Sequence, residues 1–272
     1  MAKKNRIQGM EDVWGNVCKT FGADGLFEDE QDIMSAEAIP SGSVALDEAV
    51  GIWGLPMGRI IQYAGRESSG KSLLSLMTIA QWQKMNPKNW AVFIDAEFAF
   101  DPNWAEMLGV DLSRLKRRKL NKGVDIMQFL VGVPHKELGK KKVKPGLLDW
   151  VIERGGAKET GLGIIVLDSI ASMLAPVEET AVSGKHTMAP MGRFMSTELR
   201  KLTPLLGQSG VMLIAINQIR VQPGVMYGDP ETSPGGSAWK HNCSVMVHLA
   251  RLTGTDYAIK DGEGVMIGHR IR

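Results

Sequence analysis

An eight-residue loop constrains the fold of this chain more than any other stretch. Residues 65–72 read Gly-Arg-Glu-Ser-Ser-Gly-Lys-Ser and match the pattern G-x-x-x-x-G-K-[ST]. The glycines let backbone N–H groups turn toward phosphate oxygens, the lysine reaches the β- and γ-phosphates, and the last hydroxyl ligates Mg²⁺. The predicted binding residues for a nucleoside triphosphate are therefore Gly65, Arg66, Glu67, Ser68, Ser69, Gly70, Lys71 and Ser72.

The flanks of the loop provide the setting that this chemistry needs. Residues 58–64 read as a short strand, and residues 72–85 read as a helix with apolar faces. Strand, loop and helix in this order aim the positive end of the helix dipole at the phosphates. An ordinary Gly-Ser turn is the weaker alternative.

Three further apolar runs predict strands that are buried on both faces, at residues 90–94, 164–167 and 211–216. Such runs are typical of an α/β fold with a mostly parallel twisted sheet and helices on both faces. Two later segments, residues 245–249 and 265–271, alternate in polarity across an Asp-Gly turn. We interpret these two segments as an antiparallel hairpin at one edge of the sheet.

Polar residues follow each predicted strand at its carboxyl end, which is the edge where open α/β sheets bind ligands. Asp168 is a predicted Mg²⁺ ligand with Ser72, and Glu97 is a candidate general base. Gln218 is a candidate for a hydrogen bond to the γ-phosphate. The alternatives are structural, because strand-end Asp and Gln often cap helices and Glu97 can be a solvated acid.

Two irregular segments are candidates for a DNA surface. Residues 220–237 are rich in Gly and Pro, too irregular for helix or strand, and carry Arg220, Met226 and Tyr227 before Lys240. Cations beside aromatic and methionine side chains suit single-stranded DNA. Residues 175–190 lead into a predicted helix at 191–206, where Arg193 and Arg200 share one face. A solvated helix face explains these two arginines equally well.

Composition bounds the remaining possibilities. The chain has 272 residues, 44% apolar, with a net charge of +2, so any nucleic-acid surface has to be local. Two cysteines without metal spacing suit a reducing cytoplasm, and no apolar run is long enough for a membrane span. Residues 7–21 have helical apolar spacing, which fits either packing on the same domain or docking on a neighbouring subunit. We divide the chain into an N-terminal helical arm, 1–38, and a core, 39–272.

Several strings in this sequence resemble RecA-type recombinases of bacteria or their phages. They are Leu-Pro-Met-Gly-Arg-Ile at 55–60, Glu-Ser-Ser-Gly-Lys-Ser at 67–72, Phe-Ile-Asp-Ala-Glu at 93–97, Asp-Pro at 101–102, Ile-Asn-Gln-Ile-Arg at 216–220, Gly-Val-Met-Tyr-Gly at 224–228 and Pro-Glu-Thr at 230–232. The last three strings are specific, because other P-loop ATPases lack them. The resemblance covers residues 39–272 and implies a RecA-like P-loop ATPase core.

The resemblance also implies roles for individual residues. Glu97 matches the family's catalytic base, Gln218 its γ-phosphate switch, and Asp101 and Trp104 its adenine contacts. Segments 175–192 and 220–237 match the two DNA-binding loops, and the arm matches the segment that joins subunits into a helical filament. The implied DNA-binding residues are Met188, Arg193, Arg200, Arg220, Met226, Tyr227, Gly235, Gly236 and Lys240.

The implied function is that of an ATP-dependent DNA recombinase. With ATP and Mg²⁺ it would polymerise on single-stranded DNA, pair it with homologous duplex DNA and promote strand exchange in recombination and repair. Two alternatives remain: a hexameric helicase motor on the same core, and a truncated, non-catalytic modulator of filaments.

Three departures from the family pattern bear on function. Arg66 replaces the usual proline of the loop. Residues 121–144 form an extra segment, and the stretch 111–144 holds 11 Lys or Arg and three acids. This stretch is either a second phosphate track or a solvated insert, and we favour the insert. The sequence stops at Arg272 within an expected core strand, so the family's last strands and C-terminal domain are expected to be missing. Whether ATP hydrolysis is impaired without them is left open.

Overall fold

A computed structural model describes residues 37–133, 144–176, 190–221, 231–232, 234–252, 257–260, 266–269 and 271. The chain divides into two units, Met1–Glu37 and Ala38–Arg272, and the helices and strands described belong to the second. The predicted arm lies almost wholly outside the described residues, so the proposed domain division stays a prediction.

A six-stranded sheet forms the centre of the second unit. Its strands are β3 (Ile60–Gly65), β4 (Trp90–Asp95), β5 (Leu115–Lys119), β8 (Leu162–Asp168), β9 (Met212–Gln218) and β12 (Cys243–Leu249). The order across the sheet is β12-β3-β9-β8-β4-β5. Every neighbouring pair is parallel, which confirms the predicted α/β class.

Short strands pair outside the main sheet. They are β1 (Ala38–Ile39) with β2 (Leu55–Pro56), β6 (Gly132–Val133) with β7 (Lys144–Pro145), β10 (Arg220–Val221) with β11 (Glu231–Thr232), and β13 (Ala258–Lys260) with β14 (Met266–His269). All four pairs are antiparallel.

The described helices connect these strands. They are α1 (Val44–Val50), α2 (Lys71–Met85), α3 (Pro102–Met107), α4 (Gly123–Val131), α5 (Leu147–Glu153), α6 (Gly156–Thr160), α7 (Pro190–Ser209) and α8 (Ser237–Asn242), with single 3-10 turns at Leu112–Arg114 and Ile170–Ser172. None of the helices described is long and apolar enough to cross a membrane.

Two hydrophobic layers enclose the sheet. Successive residues of β3 show the alternation, because Ile60 packs into one layer and Ile61 into the other. Helices α4, α5 and α7 line the first layer with Leu130, Leu148 and Leu199, and α2 lines the second. Each fully buried Leu or Ile side chain contributes about 1.5–3 kcal/mol, so the continuous apolar strands stabilise a sheet that is covered on both faces.

One predicted strand pairing is wrong. Residues 245–249 do not form the first half of a hairpin, because they belong to β12 and pair in parallel with β3. Their alternation has another cause: β12 is an edge strand whose outer face is open, so that Met246 is 47% exposed. An antiparallel hairpin does exist, but β13 is the partner of β14.

Two segments are more regular than the sequence indicated. The segment 220–237 is not irregular throughout, because β10 and β11 pair near its ends. The extra segment 121–144 is not a solvated insert at residues 123–131, where α4 buries Ile126, Met127 and Leu130 completely or almost so. The spacing of these apolar residues fits a helix packed on the core.

Candidate nucleotide and DNA site

The loop between β3 and α2 needs its glycines for steric reasons. Gly70 has a φ of 89°, which is the left-handed region, and a Cβ there would lie 2.5 Å from the Ile271 Cδ1 atom. A Cβ on Gly65 would lie 2.3 Å from the Leu249 carbonyl oxygen at the end of β12. The loop therefore runs against β12 and the last described residue, with Arg66, Glu67 and Ser68 exposed.

Lys71 begins α2, and its amine donates to carbonyl oxygens of its own loop. The Nζ atom lies 2.6 Å from the Arg66 oxygen and 3.1 Å from the Gly65 oxygen. Burial lowers the pKa of Lys71, while Asp168, Glu97 and Glu67 oppose that shift. The neighbouring Ser69 Oγ is buried and has no hydrogen-bond partner among the described residues. A buried donor without a partner beside a lysine fits a loop that receives phosphate.

Ser72 and Asp168 meet where α2 begins and β8 ends. The Ser72 hydroxyl donates to Asp168 Oδ2 at 2.7 Å. Burial raises the pKa of Asp168 to about 6; the Ser72 hydrogen bond opposes this shift, and Glu97 and Asp95 add to it. A hydroxyl and a carboxylate oxygen at this distance match the oxygen ligands that Mg²⁺ prefers.

Glu97 follows β4, and two hydroxyl groups hold its exposed carboxylate. Ser169 and Ser172 both donate to Glu97 Oε1, the second at 3.2 Å. The Ala96 and Glu97 N–H groups donate to the Asp168 carbonyl oxygen at 2.6 and 3.3 Å. The two acids are thus joined through backbone and serine contacts.

Sequence reasoning missed both serines. The available signal was their place directly after the Asp168 strand.

Gln218 lies beside the phosphate-binding loop. It is the last residue of β9 and stands in register with Gly65, the last residue of β3. The next residue, Ile219, donates its N–H to the Gly65 carbonyl oxygen at 3.2 Å. The buried Asn217 side chain donates to the Pro234 carbonyl oxygen at 3.0 Å, a contact that the sequence did not predict. The end of β9 therefore touches the first glycine of the loop on one side and residue 234 on the other.

The described ends of the two candidate DNA loops lie together. A Cβ on Gly192, near the start of α7, would stand 3.8 Å from the Gly235 oxygen and from the Gly236 Cα. Arg193 and Arg200 are exposed on α7, and Lys240 is exposed on α8. Gly235 is buried against the Trp239 ring. A Cβ on Gly235 would lie 2.4 Å from that ring.

Comparison with known proteins decides the family. The model of the RecA N-terminal domain matches residues 8–272. The chain belongs to this RecA family. Relatives named Protein RecA include those of Treponema denticola, 36% identical over 250 residues, of Francisella philomiragia, 36% over 263 residues, and of Clostridium acetobutylicum, 34% over 268 residues. These matches cover 91%, 96% and 98% of this chain, and 54%, 65% and 68% of the respective relatives.

The resemblance to RecA-type recombinases predicted adenine contacts for Asp101 and Trp104. The Asp101 carboxylate caps α3, accepting the N–H groups of Asn103 at 2.9 Å and Trp104 at 3.3 Å. The Trp104 side chain is 45% exposed, so one part of its indole is open to a stacking partner. The adenine roles stay a prediction.

Several residues that were predicted to contact DNA have side chains outside the described part of the structure. Met188, Met226 and Tyr227 lie outside the described residues, and for Arg220 only the backbone is described. Within the described ranges, no group of three or more His, Cys, Asp or Glu side chains could hold a metal ion. The Mg²⁺ roles of Ser72 and Asp168 stay a prediction.

Proposed function

We propose that this chain is the ATP- and DNA-binding core of a DNA recombinase. Its copies would form a helical filament on single-stranded DNA, pair that strand with homologous duplex DNA and exchange strands, in a cytoplasmic setting. The observation that carries the proposal is the arrangement of three strand ends. Ser72 donates to Asp168 at 2.7 Å, and Gln218 stands in register with Gly65.

Glu97, Asp168 and Gln218, at the carboxyl ends of their strands, form what we call the nucleotide rim. The loop and this rim would together bind ATP and Mg²⁺. Lys71 would exchange the two loop carbonyl oxygens for the β- and γ-phosphates, and Ser69 would gain a partner for its buried hydroxyl. Ser72 and Asp168 would hold the metal ion. Bound Mg²⁺ neutralises phosphate charge and aligns the triphosphate.

Glu97 would act as the general base of ATP hydrolysis. The two serine hydroxyls that donate to Oε1 would fix this oxygen and leave Oε2 to accept a proton from the attacking water. Ser169 and Ser172 are thus positioning residues. A hydrogen bond to a charged group contributes about 1.5–3 kcal/mol, which is a modest part of the barrier lowering required.

Gln218 would report the nucleotide state to the DNA surface. A γ-phosphate contact at Gln218 acts on the end of β9, and the adjacent Asn217 contacts Pro234. The second candidate DNA loop leaves the sheet at this point. The DNA roles of Arg193, Arg200 and Lys240 rest on their exposure near the same place.

The test measures ATP hydrolysis and assembly together. The chain should hydrolyse ATP faster with single-stranded DNA than without it, and electron microscopy should show helical filaments. Lys71→Ala should abolish hydrolysis, because it removes the cation at the phosphates, and Lys84→Ala on the outer end of α2 is the matched control. Rings instead of filaments would favour a helicase motor. ATP binding without any DNA-stimulated hydrolysis would contradict the proposed ATPase.

A further inference from the structure

Four buried polar atoms on one face of the central sheet have no hydrogen-bond partner among the residues that the structure describes. They are Nε2 and Oε1 of Gln62, Oδ1 of Asn217 and Nε1 of Trp239. All three side chains are fully buried, with 0% of their surface exposed. A buried polar group without a partner lowers the stability of a fold, so proteins pair most of them. Three such side chains in one part of the core need a physical reason.

Strand register places Gln62 and Asn217 close together. Gln62 is in register with Ala215, and Ala64 with Asn217, so the two polar residues lie on adjacent strands and differ by two positions. Ile60 and Ala215 face the first hydrophobic layer, the one that α4, α5 and α7 line. Alternation along each strand puts Gln62 and Asn217 on that same face. Residues in such diagonal positions are about 7–8 Å apart, which is within reach of long side chains.

Trp239 belongs to the same layer and contacts the base of the second candidate DNA loop. It packs in the first layer, which also contains Ala215 of β9. A Cβ on Gly235 would overlap the Cδ1 and Nε1 atoms of the Trp239 ring. The Asn217 Nδ2 atom donates to the Pro234 carbonyl oxygen at 3.0 Å. Both side chains that contact residues 234 and 235 therefore keep one polar atom without a partner.

The four unpaired atoms are complementary in hydrogen bonding. The Gln62 amide provides a donor and an acceptor, Asn217 Oδ1 is an acceptor, and the Trp239 indole N–H is a donor. Trp239 would donate to Gln62 Oε1, and Gln62 Nε2 would donate to Asn217 Oδ1. We propose that Gln62 forms these two hydrogen bonds when ATP and DNA are bound, and is thereby a positioning residue for the base of the DNA loop.

Gln218 would give the nucleotide access to these hydrogen bonds. A γ-phosphate contact at Gln218 acts on the end of β9, where Asn217 is the preceding residue. A small shift of Asn217 toward Gln62 would join the three side chains, and the joined set would hold residues 234 and 235 in one arrangement. Both ligands would then favour the same arrangement, which is the condition for coupling between two sites. This inference rests on the proposed function and names the residue that connects its two sites.

Stability gives the first test, because the proposal predicts a gain from the loss of Gln62. Gln62→Met removes both unpaired amide atoms at nearly the same side-chain volume. Without nucleotide or DNA, the unfolding temperature should rise by about 2 °C or more. A glutamine that served only the stability of the fold would give the opposite sign.

Gln83 is the matched control, because it is an equally buried glutamine whose amide is paired. It is 2% exposed. Its Nε2 atom donates to the Asp111 carbonyl oxygen at 3.0 Å, and its Oε1 atom accepts the Asp111 N–H at 2.8 Å. Gln83→Met should lower the unfolding temperature, since it leaves both Asp111 groups without this partner.

DNA binding gives the second test. Fluorescence anisotropy measures the affinity for single-stranded DNA with Mg²⁺ and a non-hydrolysable ATP analogue, and again without nucleotide. The ratio of the two affinities should fall about fivefold or more in Q62M, through weaker binding in the presence of the analogue. Q83M should keep the wild-type ratio. Trp239→Phe removes the indole N–H and should also lower the ratio, and Q62M/W239F should be no worse than Q62M, because both changes act on one set of hydrogen bonds.

Two outcomes would overturn the inference. A Q62M chain that is less stable than the wild type would show that Gln62 is hydrogen-bonded without nucleotide. A more stable Q62M chain with the wild-type ratio would show that Gln62 does not connect the sites. A wild-type chain whose DNA affinity does not depend on the nucleotide would contradict the proposed role of Gln218 itself, whereas a dependence that Q62M retains in full would contradict only the role of Gln62.

Discussion

At the scale of single residues, burial at the nucleotide rim changes the pKa of a carboxylate. Asp168 stands at the end of a buried strand with Glu97 and Asp95 nearby, and its pKa rises to about 6. The Ser72 hydroxyl donates to its carboxylate at 2.7 Å. Ionisation of a buried carboxylate lowers the stability of the fold unless a cation lies nearby. Such a cost is typical of a residue retained for metal binding rather than for stability.

The raised pKa of Asp168 predicts a pH-dependent gain in stability from Asp168→Asn. The pKa of Asp168 in the folded protein lies above the usual aspartate value of 3.8. The folded protein therefore binds this proton more tightly than the unfolded chain does, and the free energy of unfolding falls as pH rises from about 4 to 6. Without Mg²⁺ at pH 7, the variant should be more stable by about 1–2 kcal/mol, after allowance for the partial exposure of the side chain. Urea unfolding at pH 7 and near pH 4 measures the difference.

The gain should disappear near pH 4, where both proteins carry a neutral side chain. Glu106→Gln, at an exposed position on α3, serves as the control and should change little at either pH. A variant that is less stable than the wild type at pH 7 would show that Asp168 is favourably ionised in the folded protein.

At the scale of elements, short contacts close the candidate DNA loop. β10 pairs with β11, Asn217 reaches Pro234, and Gly235 packs against Trp239 at the start of α8. Trp239 is fully buried in the layer that α7 and α4 share. The base of the loop is therefore part of the core, so Gly235 has a packing role in addition to its predicted place at the DNA.

This packing predicts different costs for two neighbouring glycines. Both have positive φ, 90° at Gly235 and 70° at Gly236, so alanine strains the backbone at either position. Only at Gly235 would the new Cβ also meet the Trp239 ring, at 2.4 Å. Gly235→Ala should lose about 1–3 kcal/mol more than Gly236→Ala. Thermal unfolding without DNA measures the difference, and equal stability of the two variants would contradict the packing role.

At the scale of the whole molecule, the chain spans about half to two-thirds of the length of the RecA relatives it matches. The sheet and the nucleotide rim lie within the unit Ala38–Arg272. Residues 1–37 of the predicted arm precede β1, whose pairing with β2 begins at Ala38. Core folding and subunit assembly should therefore be separable at about residue 37.

Deletion of residues 1–36 should abolish filaments and leave the core folded. The deletion removes all but the last two residues of the predicted arm and keeps β1, so ATP binding and the unfolding temperature should change little. Electron microscopy, nucleotide binding and thermal unfolding are the measurements, and a deletion of residues 1–6 that spares the apolar helix pattern is the control. Filaments of wild-type length from the shorter chain would contradict the arm assignment.

Local patterns were enough to predict the α/β fold, the strand-loop-helix at Gly65–Ser72 and the set of strand ends with Lys71, Glu97, Asp168 and Gln218. They succeed because strands buried on both faces are continuously apolar, and because parallel strands bring their carboxyl ends to one edge. The RecA-type resemblance, and not periodicity, carried the DNA and recombination roles.

Tertiary packing decided the remainder. An alternating segment such as β12 has the same pattern in a hairpin as at the edge of a parallel sheet, and only the long-range pairing with β3 distinguishes them. The serine contacts of Glu97, the contact of Ser72 with Asp168 and the link from Asn217 to Pro234 join residues that are far apart in the chain. No local pattern contains such contacts, because the approach of distant side chains depends on how the layers pack.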